Sequence, residues 1–322
     1  MYKRQNHHTD VEKDEEQIPV VFADYGFFGA EGEGSEVFVS GPEAPILCIK
    51  DRRTKCIWAH PVPSNCVEDP WGKLCLVKDL EKSGYARVIL KSDQEKALVV
   101  VLNSAKQMWT AKTGGEVVLE KSPKGEKASN GEIERAIQEV HGLCRTFKEY
   151  LEFQVGQVLD PKWCIMTWLV EFAAVAYNIF FVGDDGLTPF QRLKGKPWRV
   201  PLPAFGEAVE FKKKARFKLS ARWAEGIFLG VVENTTEKIV GNEDGVFTVQ
   251  SIQRKPLDER WNLDLIKRLK GVPWMPNPGE KDPDSLKDPI VIFPRDQRSP
   301  GRSPMFFGQS NEHDECTYVS RI

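Results

Sequence analysis

The sequence lacks any pair of cysteines at the CxxC spacing, although it contains seven cysteines. They are scattered along the whole chain, at Cys48, Cys56, Cys66, Cys75, Cys144, Cys164 and Cys316. Such scatter is typical of reduced, mostly buried thiols, and it predicts an intracellular protein.

An uninterrupted apolar run of membrane-spanning length is also absent. The most apolar stretch, "WCIMTWLVEFAAVAYNIFFV", contains Thr167, Glu171 and Asn178. Polar residues inside such a run favour a buried helix over a membrane span, so no membrane association is expected. The first residues show no signal-peptide pattern.

The chain has no strong excess of charge of either sign, because its formal net charge is -2. Charge is nevertheless segregated: "DVEKDEEQ" makes residues 1–17 an acidic, flexible lead-in, whereas residues 191–222 are strongly basic. The basic side chains there are Arg192, Lys194, Lys196, Arg199, Lys212, Lys213, Lys214, Arg216, Lys218 and Arg222. A stretch of this density can hold phosphates, and it can equally be a solvated surface.

The remaining composition indicates a globular chain with about two domains. Hydrophobic residues make up 41% of it, and nine are tryptophan. The patterns "VVFADY", "PILCIKD" and "KCIWAHP" predict three sequential strands, the last two forming a hairpin. Helical and strand patterns then alternate as helix, strand, helix, strand, helix. This order predicts an α/β fold with a mixed sheet and flanking helices.

The segment "KASNGEIERAIQEV" predicts the start of the helix that follows the fifth strand. "SNGE" fits a capping box, with Ser129 as the N-cap and Glu132 folding back on the backbone. Glu134 is then the glutamate of this segment that is available for chemistry. It lies beside the apolar stripe of the helix.

Three acids are placed to meet at one sheet edge if the first and fourth strands are neighbours: Asp24, Asp93 and Glu134. Carboxylate oxygens are the ligands that Mg²⁺ prefers, although each acid could also be a turn, cap or dipole-satisfying residue. Asp184 and Asp185 in "VGDDG" are predicted to lie in a loop. Asp79 and Glu81, late in the first helix, are predicted to be solvated.

Several motifs in the same order resemble the integrases of retroviruses and copia-type retrotransposons. "FADYGFFG", "ILKSDQEKAL" and "SNGEIER" are similar to the D, D, E core of that family. The last motif matches at Asn130, Gly131, Glu134 and Arg135. Downstream, the matching positions are Gly186, Thr188, Pro189, Phe205, Gly206 and the strand Gly226 to Gly230. The resemblance implies an RNase H-like catalytic core with Asp24, Asp93 and Glu134 as catalytic acids and metal ligands.

The resemblance also implies an activity and its cofactors. Integrases are DNA strand transferases that join element ends to target DNA, with two Mg²⁺ or Mn²⁺ ions in an in-line phosphoryl transfer. The expected partners are element and target DNA and further copies of the chain, with no small-molecule substrate. The expected location is the nucleus, with a cytoplasmic particle stage.

The resemblance divides the chain into a catalytic core at residues 18–200, a small SH3-like β-barrel at residues 201–258 and a mostly disordered tail at residues 259–322. The tail would lead toward another region of a polyprotein. Candidate DNA contacts near the acids are Lys91, Lys127 and Arg135. Those on the first long loop of the barrel are Lys212, Lys213, Lys214, Arg216, Lys218 and Arg222.

Two alternatives remain open. His7 and His8 are adjacent without a nearby cysteine pair, so they cannot form the zinc module that integrases commonly carry. Either the chain begins downstream of that module or the module was lost, which leaves room for an inactive or domesticated DNA-binding copy. An RNase H-type nuclease is the second alternative, although such enzymes place a further acid on the first helix.

Overall fold

A computed structural model describes residues 17–28, 45–63, 70–93, 95–121, 127–213 and 222–279. The chain divides into two units, Met1–Ile292 and Phe293–Ile322. All described residues belong to the first unit.

The first part of the chain forms a mixed five-stranded sheet in the order β3-β2-β1-β4-β5. Its strands are β1 (Val20–Gly26), β2 (Ile46–Asp51), β3 (Ile57–Pro61), β4 (Arg87–Ser92) and β5 (Glu116–Lys121). Its helices are α1 (Pro70–Ser83), α2 (Lys96–Thr113), α3 (Lys127–Val155), α4 (Ile165–Phe180) and α5 (Pro189–Lys194). The β2–β3 hairpin is antiparallel, and β4 runs parallel to both β1 and β5. The predicted element order and the mixed sheet with flanking helices are confirmed.

The two faces of β1 enter two different cores. Val21, Ala23 and Tyr25 pack with α1 and α2, whereas Phe22 packs with α3 and α4. Because side chains alternate along a strand, Asp24 lies on the same face as Phe22. The central strand therefore carries its acid on the side of the sheet that α3 covers.

Helix α4 covers the edge strand β3, and its polar residues serve that contact. The side chain of Asn178 accepts a hydrogen bond from the N–H of Ile57 at 2.9 Å and donates one to its carbonyl at 2.8 Å. It thereby satisfies backbone groups that an edge strand otherwise leaves unpaired. The predicted buried helix is confirmed. Within the described residues, no helix combines the length and hydrophobicity that a membrane span requires.

The predicted capping box at the start of α3 is wrong. The helix begins at Lys127, so Ser129 lies inside it and is not the N-cap. Glu132 accepts a hydrogen bond from Arg52 at 2.8 Å. This charge-assisted contact joins residues 80 positions apart, and a local capping pattern cannot anticipate it.

The C-terminal part forms a second, antiparallel five-stranded sheet in the order β10-β6-β7-β8-β9. Its strands are β6 (Ala208–Lys212), β7 (Trp223–Val231), β8 (Lys238–Asn242), β9 (Gly245–Val249) and β10 (Ile252–Arg254). The sequence pattern predicted three of these strands and missed β8 and β10. Within the described residues β9 and β10 do not pair, so closure into a barrel is not shown.

The two sheets share one hydrophobic core. Phe172 of α4 packs against Phe205 and Phe228, with ring centroids 5.1 and 6.2 Å away. The predicted boundary between residues 200 and 201 therefore does not separate two cores. The predicted tail begins with ordered structure, because helix α6 (Leu263–Arg268) buries Ile266 and a following loop buries Trp274. Residues 280–322 lie outside the described part of the chain.

Candidate metal centre

Asp24 and Asp93 meet at the carboxyl edge of two parallel strands. Phe22 of β1 pairs with Lys91 of β4, so the residues two positions further on, Asp24 and Asp93, are level with each other. Their carboxylate oxygens approach within 4.8 Å. The condition on which the predicted convergence depended, that these strands are neighbours, is met.

Glu95 is a third member of this group, and the sequence analysis missed it. Its carboxylate lies within 4.8 Å of those of Asp24 and Asp93. Glu95 occupies the N-cap position of α2, but its side chain does not cap the helix. Its backbone N–H instead donates to Oδ1 of Asp93 at 2.9 Å. The signal in the sequence was "SDQE", two acids separated by one residue where a strand gives way to a helix. We call Asp24, Asp93 and Glu95 the acidic cluster.

Glu134 lies beside the acidic cluster and not within it. Two contacts locate it: Glu132 bonds Arg52, whose guanidinium covers the ring of Phe22, and Ile137 lies against Gly26. Glu134 falls between these points on α3, and it is therefore level with Asp24. Its side chain is exposed, and among the described residues it does not join the closely spaced group.

The acidic cluster has an excess of negative charge. Burial, followed by the charge of Asp93, raises the pKa of Asp24 to about 7. The N–H of Tyr25, which donates to Oδ1 of Asp24 at 2.8 Å, opposes this rise, while Glu95 and Glu134 add to it. Burial and Asp93 also raise the pKa of Glu95. A divalent cation bound to these oxygens would relieve the repulsion, so the donor set fits Mg²⁺ or Mn²⁺.

Of the residues near the acids that were predicted to contact DNA, one is held in an ion pair and one is exposed without such a pair among the described residues. Lys91 forms an ion pair with Glu120, its neighbour across β4 and β5, at 3.0 Å. Arg135 is exposed on α3 and forms no ion pair within the described residues. The side chain of Lys127 lies outside the described part.

The basic loop after β6 is described only at its ends. Lys212 and Arg222 are exposed, and Lys213 forms an ion pair with Asp244 at 2.7 Å. The positions between them that were predicted to contact DNA, Lys214, Arg216 and Lys218, lie outside the described residues.

Two other acids considered from the sequence, Asp185 and Asp79, have structural partners. Asp185 lies in a turn and pairs with Arg192, as the loop prediction implied. The prediction that Asp79 is solvated is wrong, because its side chain is 0% exposed. Its Oδ2 lies 2.7 Å from Nε2 of His60, and its Oδ1 accepts from Lys82 at 2.8 Å. The face of α1 that carries it is turned toward β3.

The described cysteines carry free thiols, as predicted. Cys48, Cys56, Cys75 and Cys144 are buried, and Cys164 is partly buried. Cys66 and Cys316 lie outside the described residues.

No protein-family model matches the chain, and no curated protein matches it in sequence. Solved structures match it weakly. The BIV integrase catalytic core aligns with a TM-score of 0.37 and 13% identity, over 53% of this chain and 91% of that one. The HTLV-2 integrase catalytic core, solved with magnesium, aligns with a TM-score of 0.37 and 10% identity, over 54% of this chain and 96% of that one. A chain of a simian T-cell lymphotropic virus intasome, solved in complex with the PP2A regulatory subunit B56 gamma, aligns with a TM-score of 0.35 and 11% identity. The alignment covers 74% of this chain and 83% of that one. At this degree of likeness, function has to be inferred from the geometry of the acids.

Proposed function

We propose that this chain is an integrase-type polynucleotidyl transferase of a copia-type retrotransposon, with an RNase H-like core that joins element ends to target DNA. The observation that supports it best is the convergence of Asp24 and Asp93 at the carboxyl edge of β1 and β4. Both acids occupy the motif positions on which the sequence resemblance depends.

The acids would hold two divalent ions through carboxylate oxygens. When bound, Mg²⁺ or Mn²⁺ would activate the attacking oxygen and stabilise the leaving oxygen of an in-line displacement at phosphorus. Asp24 is the central ligand, since the other acids surround it and its charge is costly without a cation. Asp93 has one oxygen tied to the N–H of Glu95, which leaves the other for an ion.

Glu134 would complete the catalytic set from the opposite helix. Its exposed side chain, level with Asp24, can turn toward that residue without breaking a described contact. Glu95 is already turned inward and would act as an additional ligand. The site therefore has four acids for two ions.

Phosphate contacts would position the DNA across this edge of the sheet. Arg135 is the best placed, because it follows Glu134 on α3 and is exposed. Lys91 would first have to leave Glu120. Lys127, Lys212, Lys213, Lys214, Arg216, Lys218 and Arg222 would add backbone contacts, which give affinity without a sequence code.

The proposal includes more than one copy of the chain, since joining two element ends to a target requires two sites at once. It also includes action in the nucleus after a cytoplasmic particle stage. Both follow from the family resemblance.

A second candidate is an inactive or domesticated copy that binds DNA without joining it. The position of Glu134 outside the acidic cluster favours this candidate. The nuclease alternative is weaker, because Asp79, the acid on the first helix, is engaged by His60 and Lys82.

A strand-transfer assay with short duplex ends and Mg²⁺ or Mn²⁺ tests the proposal. Asp24→Asn, Asp93→Asn and Glu134→Gln should each reduce joining by about a hundredfold or more. Glu139→Gln is the matched control, because Glu139 is another exposed glutamate on α3. DNA binding without joining by the parent would support the inactive copy, and cleavage of RNA in a hybrid would support the nuclease. Joining that survives Asp24→Asn and Asp93→Asn would refute the proposal.

A further inference from the structure

An apolar cavity lies between helices α3 and α4, beside the first residue of β2 and the last residue of β3. Its volume is about 130 Å³. Its walls consist mainly of apolar side chains, among them Phe28, Ile46, Met166, Leu169 and Val170. None of the residues that line it belongs to the acidic cluster. We call it the Arg145 pocket, after the cation at its mouth.

The pocket has a closed inner end and an open mouth. Ile46, Cys144 and Val170 are at most 3% exposed, so they form the inner end. Arg145 is exposed and Lys148 is partly buried, and both line the pocket where it opens. The interior is therefore apolar, and the rim is cationic.

One of the two rim cations is already paired. Nζ of Lys148 donates to Oε1 of Glu152 at 2.5 Å, and the same oxygen accepts from the N–H of Leu159 at 2.8 Å. The guanidinium of Arg145 lines the same rim and forms no ion pair among the described residues. Arg145 can therefore receive an anion without breaking a described contact.

The charge of Arg145 is not offset within the pocket. None of the described residues that line it is acidic. His141 packs against Phe28 with ring centroids 4.6 Å apart, and it adds no charge, because burial, followed by the charge of Arg145, lowers its pKa. The rim therefore attracts an anion and offers no partner to a cation. A guanidinium binds a carboxylate through two parallel hydrogen bonds, which give orientation as well as affinity.

The size of the interior limits the apolar part of a ligand. Apolar protein cavities of about 150 Å³ hold a molecule of about six carbon atoms. The Arg145 pocket is slightly smaller, at about 130 Å³, and its walls are mostly aliphatic. Each methylene group that leaves water for such walls should raise affinity about fourfold. A chain of about five carbon atoms therefore fits, and a longer one must extend into solvent.

We propose that the Arg145 pocket binds a short aliphatic carboxylate with a chain of about five carbon atoms beyond the carboxyl group. The ligand carboxylate accepts two hydrogen bonds from the guanidinium of Arg145, and the chain lies against Ile46 and Val170. Met166, whose unbranched side chain adapts to irregular gaps, packs along it. This site does not depend on DNA joining, so its failure and that of the proposed function are separate results.

The probe is hexanoate, compared with hexylamine and 1-hexanol, which carry a similar chain with a cationic or an uncharged head group. At about 10 mM, hexanoate should raise the melting temperature of the parent by about 2 °C or more, as expected for millimolar affinity. The two controls should raise it by much less. An equal rise with either control, or no rise with hexanoate, would overturn the proposal.

Chain length tests the size of the interior. In calorimetric titrations, affinity should rise about fourfold per methylene group from butyrate to hexanoate and change little from hexanoate to octanoate. Val170→Ile adds one methylene group to the wall, so it should reduce the affinity for hexanoate more than that for butyrate. Affinity that keeps rising to octanoate at the same rate in parent and variant would place the chain on an open surface and overturn the proposal.

The head group is tested at Arg145. Arg145→Gln removes the guanidinium and should weaken hexanoate binding about tenfold. Lys106→Gln is the matched control, because it removes one positive charge from α2 at a side chain that forms no ion pair among the described residues and does not line the pocket. Arg145→Lys should restore only part of the affinity, since an ammonium lacks the planar pair of donors. Equal hexanoate affinity in the two glutamine variants would overturn the assignment.

Discussion

Asp24 and Asp93 are level with each other across two parallel strands, with carboxylate oxygens within 4.8 Å, because the register pairs Phe22 with Lys91. Two acids in this arrangement repel each other when both are ionised. The repulsion gives the site measurable properties before any reaction is assayed.

The charge of Asp24 should cost stability at high pH. Its pKa is raised from an ordinary value of 3.8 to about 7, so between these values the folded chain binds more protons than the unfolded chain. Stability therefore falls as the pH rises through this window. Asp24→Asn should relieve the loss, and its advantage over the parent should grow to about 1–3 kcal/mol between about pH 4 and about pH 8. Urea unfolding across the window measures it, and a difference that does not change with pH would contradict it.

Divalent cations should stabilise the parent, and more so at high pH, where protons do not compete for Asp24. We expect Mn²⁺ to raise the melting temperature by at least about 3 °C at about pH 8, by less at about pH 5.5, and EDTA to reverse the change. Asp24→Asn should abolish the effect. An equal rise in parent and variant would show that the ion binds elsewhere.

Glu95 and Glu134 should differ in what they contribute. Glu95 belongs to the acidic cluster, so Glu95→Gln should weaken Mn²⁺ affinity about tenfold. Glu134→Gln should have a smaller effect on affinity and a larger one on joining, since its side chain lies outside the cluster. Calorimetric titration with Mn²⁺ and the strand-transfer assay separate the two. Unchanged Mn²⁺ affinity in Glu95→Gln would remove Glu95 from the ligand set.

The close approach of α3 to β1 should matter for the alignment of Glu134. A Cβ at Gly26 would lie 2.9 Å from Cγ2 of Ile137, so Gly26→Ala should push the helix away and destabilise the fold by about 1–3 kcal/mol. Joining should fall further than DNA binding. Gly131→Ala is the control, because a Cβ there meets nothing within 4 Å and favours the helix. Equal stability of the two variants would argue against tight packing at Gly26.

Because Asp79 is buried and contacts two cationic side chains, its substitution should lower the free energy of unfolding more than most substitutions do. Burial alone would raise the pKa of Asp79, but Lys82 and His60 hold it below its ordinary value. Asp79→Asn removes the buried carboxylate that contacts both Lys82 and His60 and should cost about 3–5 kcal/mol. Glu116→Gln, which breaks an exposed pair with Arg87, should cost less than about 1 kcal/mol.

The pH dependence of Asp79 has the opposite sign to that of Asp24. Because its pKa is lowered on folding, its contribution is present above the ordinary value of 3.8 and is lost as the pH falls through the folded value. Unfolding curves of the parent and Asp79→Asn should therefore converge at low pH. Curves that stay apart in acid would contradict the ionised contact.

The amino-acid sequence by itself determined the order along the chain in which the first five strands and their helices follow one another. It could do so because hydrophobic periodicity is a local property. It also placed Asp24 within or at the end of the first strand and Asp93 at the end of the fourth, where parallel neighbours bring side chains to one edge. The buried character of α4 followed from its length and its few polar residues.

Only the tertiary structure decided which acids come together. Glu95 turns into the cluster at a strand-to-helix junction, Asp79 becomes buried because α1 faces β3, and Glu132 bonds Arg52 instead of capping its own helix. Strands β8 and β10 are recognisable through their pairing and not through their composition. For the three acids and for β10 the deciding partner is distant along the chain, so the energy of the contact is absent from any local pattern.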